Sequence, residues 1–151
     1  MEITLSLALP RDFQTVPVAR RIVAASMAAV GVTQECCHDV TLALTEACAN
    51  VLDHSAAGDE YEVRFSLDNE VCSIKVIDVG QGFDPAAVAQ RHAAAEDESG
   101  RGISLMSYLV DDLHFESSPK DGSVVTMRKA IEYAEGSLLA KAIEDTAVLP
   151  S

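Results

Sequence analysis

The amino-terminal part of the chain has a strand pattern followed by a helix pattern. Across Ile3–Leu9 apolar residues alternate with small or polar ones, and Pro10 ends the run, which is typical of a strand with one buried face. Thr15 is then predicted to cap a helix that tolerates Pro17 in its first turn and ends at Gly31. Its predicted buried face consists of Ala19, Ile22, Val23, Met27 and Val30.

A second helix and two strands follow. Thr33 is predicted to open the helix, which runs to about His54. Residues 61–67 and 72–78 alternate as two strands, and Asp68-Asn69 forms a turn between them. The apolar stripe of the helix is Val40, Leu44, Ala47 and Val51.

The pattern breaks in the middle of the chain and then resumes. Residues 80–102 are rich in Gly, Ala, Asp and Glu without a steady period, and a loop of this length is predicted to be a functional lid. A helix over 103–110 and strands over 113–117 and 123–130 follow. In the tail, 132–151, a few apolar residues have helical spacing.

Strands and helices do not alternate strictly, which excludes a doubly wound parallel sheet. We predict an α+β fold, a two-layer α/β sandwich with a mixed, mostly antiparallel sheet and helices on one face. No repeat or linker divides the sequence. We therefore expect one domain over residues 1–131. Residues 132–151 are predicted to form a C-terminal tail whose spacing of apolar residues is compatible with a helix.

Charge and composition narrow the function. The 151 residues carry a formal charge of −13, from 11 basic and 24 acidic residues, which argues against direct binding of nucleic acid. No apolar run approaches the ~20 residues of a membrane span, and no secretion signal opens the chain. The four cysteines show no C-x-x-C spacing, so buried, reduced thiols in a cytoplasmic protein are expected.

The first cluster of candidate site residues lies on the second helix. Glu46, Asn50 and His54 are four residues apart and share one helix face. An amide oxygen is a ligand for a hard cation, and a carboxylate one turn away can accept a proton. The alternative is a polar helix edge with an ordinary side-chain hydrogen bond.

The second cluster is the sequence Asp78-Val-Gly80-Gln-Gly82 at the end of an apolar strand. The carboxylate can accept a hydrogen bond from an exocyclic amine such as that of adenine, and the glycines let a flat base approach the backbone. A simple tight turn would use the same residues.

The third cluster is Gly100-Arg101-Gly102, predicted to lie directly before a helix. Glycines there would leave the first N–H groups of the helix open to an anion, and Arg101 could add a charge-assisted contact to phosphate. A lid hinge is the alternative.

The order of the three clusters carries more information than any one of them. A helix with Glu46 and Asn50, a strand ending in Asp78-x-Gly-x-Gly, a lid and a helix opened by Gly-x-Gly resemble the ATPase superfamily of gyrase, the heat-shock chaperone, histidine kinases and the mismatch-repair ATPase. Within it, the chain is similar to the anti-sigma factor serine/threonine protein kinases of bacterial partner switching, from about Leu9 to Ala130.

The resemblance implies a role for each matching residue. Glu46 would activate a serine or threonine hydroxyl, Asn50 would bind magnesium, and Asp78 would bind the adenine of ATP. Gly80 and Gly82 would shape the base pocket, Thr126 would place a hydroxyl near the adenine, and Gly100 and Gly102 would let the lid meet the phosphates. The lid departs from the family in being short and rich in alanine.

The resemblance also implies partners. The substrate would be an anti-anti-sigma factor, the second partner an RNA polymerase sigma factor, and the state a homodimer. Arg20 matches a partner-facing arginine, although a solvated charge beside Arg21 would explain it as well. Two alternatives stay open: a non-catalytic ATP-binding module that acts by holding a partner, and a detached histidine-kinase catalytic domain, which Glu46 disfavours because it suits hydroxyl activation.

Overall fold

Five strands and three long helices make up the described part of the chain, which in this computed structural model comprises residues 1–54, 60–78, 98–118 and 122–136. In chain order the elements are β1 (Ile3–Pro10), a short 3-10 helix (Phe13–Thr15), α1 (Val16–Val30), α2 (Gln34–His54), β2 (Glu60–Leu67), β3 (Val71–Asp78), α3 (Glu98–Leu109), β4 (Asp112–Ser118) and β5 (Gly122–Ala130).

The strands form one sheet in the order β1-β2-β3-β5-β4. All four pairings between these strands are antiparallel. The sheet is therefore wholly antiparallel across the described residues, whereas the sequence had suggested a mixed, mostly antiparallel one. One row of paired positions crosses the whole sheet through Leu5, Phe65, Ile74, Met127 and Leu113. Because side chains on a strand alternate between faces, this row lies on a single face.

The helices cover that apolar face, which we call the inner face. α2 packs against α1, α3 and the inner face of β3 and β5. The core between the layers contains fully buried side chains of all these elements, among them Val23, Met27, Leu44, Phe65, Val76, Met106 and Met127. The opposite, outer face of the sheet exposes Thr4, Arg64, Lys75 and Arg128. The expected two-layer sandwich with helices on one face is confirmed.

The helix ends follow the sequence with one exception. Gly31 ends α1 in the left-handed conformation, at a φ of 88°, which glycine adopts without steric cost. The hydroxyl of Thr33 accepts a bond from the Cys36 N–H at the start of α2. Thr15, in contrast, does not cap α1 with its side chain, because its hydroxyl lies within bonding distance of the Asp12 carbonyl (2.6 Å) and the Tyr61 hydroxyl (2.7 Å) instead.

α3 begins earlier than the sequence suggested. The helix starts at Glu98 rather than at Ile103, so Gly100 and Gly102 lie in its first turns and not in a preceding loop. An acidic residue is favourable at a helix N-terminus because of the helix dipole, and glycine in a first turn costs less than in a helix interior. The prediction placed the helix start too late because it took the glycines as loop residues that precede the helix.

Residues 132–134 are bonded to the connection between α1 and α2. The Thr33 N–H donates to Glu132 O (2.9 Å), the Ala134 N–H donates to Gly31 O (2.7 Å), and the Tyr133 hydroxyl donates to Asp68 O (2.7 Å). The start of the predicted tail is thus joined to the domain. The helical spacing at 138–143 and residues 80–97 of the predicted lid (80–102) lie outside the described residues, while residues 98–102 belong to α3.

The four cysteines are free thiols. Cys36, Cys48 and Cys72 are buried and Cys37 is half-buried. Burial raises the pKa of all of them, to about 12 for Cys48 and Cys72, so they are protonated, unreactive core side chains in the folded protein. The expectation of buried, reduced thiols is confirmed for three of the four.

The one-sided core predicts how two valines on α1 differ. Val23 is 0% exposed and Val18 is 45% exposed. Val23→Ala should lower the free energy of unfolding by about 2 kcal/mol, through lost burial and a residual cavity, whereas Val18→Ala should change it by less than about 0.5 kcal/mol. Urea denaturation measures both, and equal effects would contradict the assignment of the inner face of α1.

Candidate functional site

A buried ion pair lies at the end of β3. The side chain of Asp78 is 0% exposed, and its Oδ2 lies 2.5 Å from Nη1 of Arg11, which is in the loop after β1. Burial raises the pKa of the Asp78 carboxyl, while the hydrogen bond and charge of Arg11 act in the opposite direction. The strand β3 therefore ends in a buried acid that is paired with the Arg11 cation.

The second oxygen of this acid is available to a ligand. Oδ1 of Asp78 is buried and has no hydrogen-bond partner within the described ranges of the chain. A buried acceptor without a donor costs on the order of 1–3 kcal/mol, and few such atoms occur in native proteins. A donor such as an exocyclic amino group would satisfy this atom.

Asn50 shows the same feature on α2. It is 6% exposed, and neither Oδ1 nor Nδ2 has a hydrogen-bond partner in the part of the chain that the structure describes. Glu46, one turn earlier, is half-buried. The two residues lie beside the buried stripe that includes Ala47 and Val51, as the helical spacing predicted.

The residues present fit a magnesium–nucleotide complex. Mg²⁺ usually keeps several waters and takes one or two protein oxygens together with phosphate oxygens. The unpartnered Asn50 amide supplies one neutral oxygen of this kind, and the unpartnered Asp78 oxygen supplies an acceptor for a base. Both belong to elements in contact, since α2 packs on β3.

Tyr61 closes the core beside Asp78. It is the register partner of Asp78 on β2 and is 1% exposed. Its hydroxyl lies 2.7 Å from the Thr15 hydroxyl, and burial raises its pKa to about 12. The loop that carries Arg11 is thereby joined to β2 as well as to β3.

Thr126 does not lie opposite Asp78 in the sheet. The register pairs Thr126 with Lys75, whose side chain is on the outer face, and pairs Asp78 with Ser123. The hydroxyl residue that β5 brings opposite the acid is therefore Ser123 and not Thr126. Sequence alternation cannot reveal this, because β3 and β5 are not joined by a hairpin from which the register could be counted.

The residues of the two glycine clusters fall partly inside and partly outside the described ranges. Gly80 and Gly82 lie outside the described residues. Gly100, Arg101 and Gly102 are in the first turns of α3, which packs against α2. The first N–H groups of any helix have no partner within it. Because α3 starts at Glu98, these groups include that of Gly100 but not that of Gly102, and anion binding at this end of the helix stays a prediction.

A comparison with known protein families decides the family. The family model described as a histidine kinase-like ATPase domain matches residues 9–129, which is most of the sequence. The chain belongs to this family. Its antiparallel sheet with helices on one face agrees with that assignment.

Two curated relatives of this histidine kinase-like ATPase domain refine the similarity. An anti-sigma F factor of Caldanaerobacter subterraneus subsp. tengcongensis is 33% identical over 75% of this chain and 83% of its own length. A serine-protein kinase RsbW of Halalkalibacterium halodurans is 28% identical over 87% of this chain and 86% of its own length. The expected resemblance to anti-sigma factor kinases is confirmed.

A solved structure shows the same fold. The crystal structure of the RsbU and RsbW domains of a Mycobacterium tuberculosis protein superimposes with a TM-score of 0.66 at 18% identity. The match covers 87% of this chain and 34% of that one. In residues 1–54, 60–78, 98–118 and 122–136, no helix is both long and apolar enough to span a bilayer.

Sequence reasoning missed Arg11 altogether. No local motif singles out one arginine after a strand-ending proline, and its contact with Asp78 spans 67 positions. Arg20, the predicted partner residue, is exposed on α1 beside the exposed Arg21.

The unpartnered amide predicts an unusual stability result for Asn50→Leu. Without nucleotide, we expect a free energy of unfolding equal to or about 1 kcal/mol above that of the wild type, because two unpaired polar atoms leave the core. The rise in melting temperature caused by ADP and magnesium should disappear. Gln34→Leu, at an exposed position of the same helix, is the control. Strong destabilisation by Asn50→Leu would show that the amide has partners in the free protein.

Proposed function

We propose that the chain is an ATP-dependent serine/threonine protein kinase that phosphorylates an anti-anti-sigma factor and also acts as an anti-sigma factor by holding an RNA polymerase sigma factor. The observation that carries the proposal is the coincidence of Asn50 and Asp78, the two site residues with buried unpartnered polar atoms, in a chain whose relatives are named anti-sigma F factor and serine-protein kinase.

Base recognition falls to Asp78. Its free oxygen accepts the exocyclic amine of adenine, and burial strengthens that bond by excluding water. Gly80 and Gly82 are proposed to let the base lie against the backbone. Thr126 keeps no part in this proposal, since the register removes it from the acid.

The triphosphate lies between α2 and the start of α3. Asn50 contributes its amide oxygen to the magnesium coordination, and the unpaired backbone N–H groups at the start of α3, near Gly100, face the phosphates. Gly102, one turn into the helix, leaves room for the phosphates beside the backbone. Arg101 adds a positive charge. Bound with the triphosphate, Mg²⁺ supplies charge stabilisation to the phosphate oxygens.

Glu46 acts on the protein substrate. It accepts the proton of a serine or threonine hydroxyl of the anti-anti-sigma factor while that oxygen bonds to the γ-phosphorus and the bond from phosphorus to the ADP oxygen breaks. The products are a phosphorylated side chain and ADP. No covalent intermediate with this chain is needed, because positioning and charge stabilisation carry most of the catalysis.

Arg20 is proposed to face the protein partners from α1, where it is exposed. The homodimer implied by the resemblance and a place in the cytoplasm, where RNA polymerase works, belong to the same proposal. The charge of −13 supports action through proteins and not through direct contact with DNA.

Glu46→Gln tests the catalytic role. With labelled ATP, magnesium and an anti-anti-sigma factor of the same organism, we expect phosphate transfer at least about 100-fold slower, since the base is lost, with unchanged ATP affinity. Glu35→Gln, exposed on the same helix, should transfer at the wild-type rate. Normal transfer by Glu46→Gln would remove Glu46 as the base. Absence of transfer by the wild type, with ATP bound, would favour the non-catalytic module, and acid-labile phosphate would favour a histidine kinase domain.

Asp78→Asn tests base recognition. The substitution replaces the charged acceptor by a neutral amide, and we expect ATP affinity to fall on the order of tenfold or more in a calorimetric titration. Asp112→Asn, exposed on β4, is the matched control. Unchanged affinity in Asp78→Asn would place the adenine elsewhere.

A further inference from the structure

The loop between β1 and α1 has a fixed shape. The Asp12 N–H donates to Pro10 O (2.8 Å), and the Thr15 N–H donates to Asp12 O (2.9 Å). The Asp12 carboxylate accepts the Gln14 N–H (2.9 Å). Three hydrogen bonds within six residues hold the backbone of Arg11 in one position.

From this position the Arg11 side chain joins two further elements. Nη1 contacts Asp78 Oδ2 at the end of β3 (2.5 Å), and Nη2 lies 3.4 Å from Leu52 O in the last turn of α2. A cation is favourable at a helix C-terminus, where carbonyl groups have no partner within the helix. The side chain is 12% exposed, so the contact is sheltered from solvent.

We propose that Arg11 is a positioning residue for base recognition: it holds Oδ2 of Asp78 and thereby presents Oδ1 to the exocyclic amino group of the nucleotide. This inference rests on the proposed ATP site. The planar guanidinium fixes the rotation of the carboxylate because it is itself held by the loop and by α2. Asp78 alone would be free to turn either oxygen toward the core.

The same contact favours the charged form of the acid. Burial favours the neutral carboxyl, and Arg11 opposes this by charge and hydrogen bonding. The titratable groups next to this pair include Tyr61, the register partner of Asp78 on β2, Cys48, which is hydrogen-bonded to Tyr61 from α2, and Asp12, whose charge acts on Tyr61 from the Arg11 loop. Of these, Tyr61 and Cys48 are the buried ones. Their pKa values are both raised to about 12, so neither changes charge near neutral pH.

The consequence is a preference for an amino-substituted purine. An ionised, oriented acceptor strengthens binding of ADP, whose base carries the exocyclic amine, over inosine diphosphate, whose base carries an oxygen acceptor there. Without Arg11 the pKa of Asp78 rises further. Since the ionised form is lost as pH falls through the pKa, the preference should then disappear at a higher pH than in the wild type.

The test is calorimetric titration of the full chain with ADP and with inosine diphosphate, both with magnesium, between about pH 5 and 8. The ratio of the two affinities cancels the titration of the phosphates, which the nucleotides share. For Arg11→Gln we expect this ratio to fall on the order of tenfold and its decline with acid to begin at higher pH. Arg21→Gln, exposed on α1, should match the wild type.

Arg11→Lys provides a second, conservative variant whose charge is kept. We expect its pH profile to match that of the wild type. Its ratio of ADP affinity to inosine diphosphate affinity should lie between the ratios of the wild type and of Arg11→Gln. The inference would be overturned, with the ATP site left in place, if Arg11→Gln had the same affinity ratio and pH profile as the wild type. The same conclusion would follow if Arg11→Gln bound ADP and inosine diphosphate more weakly by the same factor. A profile shifted in Arg11→Lys as in Arg11→Gln would also overturn it. A wild type without preference for ADP would overturn the proposed function and this inference together.

Discussion

The buried pair of Arg11 and Asp78 is the contact on which the arrangement of the site depends. A fully buried carboxylate is unfavourable unless a cation and hydrogen bonds compensate, and the compensating cation comes from a loop 67 positions away. That loop connects β1 to α1, so the pair joins the edge strand, the last turn of α2 and the end of β3. The proposed nucleotide site therefore lies at the junction of these three elements.

The unpartnered atoms of Asn50 and Asp78 have a related meaning. In the described ranges of the chain three buried side-chain atoms have no hydrogen-bond partner, and this lowers the stability that an apolar substitution would restore. This loss of stability is expected at a binding site, where the ligand supplies the missing hydrogen bonds. The neighbouring core residues Ala47, Val51 and Val76 are apolar and fully buried. The unfavourable burial of polar atoms is therefore confined to the candidate site.

Most of the fold could be predicted from the sequence because its signals are local. Alternation located β2 and β3 to within a residue or two, Gly31 marked the end of α1, and helical spacing put Glu46 and Asn50 on one face. Where partners distant in sequence decide, the prediction failed. The hydroxyl of Thr15 bonds to Asp12 and Tyr61 instead of capping α1, and the register places Ser123, not Thr126, opposite Asp78. The role of Arg11 could not be predicted for the same reason, because its partner Asp78 is 67 positions away in the sequence.

The two faces of the sheet differ in how much substitution they can absorb. Asp78 occupies the inner face, in sequence with Ile74 and Val76, so the acid and the core share one surface and cannot vary independently. The outer face, with Arg64 and Lys75 directed to solvent, carries no such restriction. Substitutions should therefore be tolerated best on the outer face, where new contacts with other proteins can arise without disturbing either folding or the proposed nucleotide site.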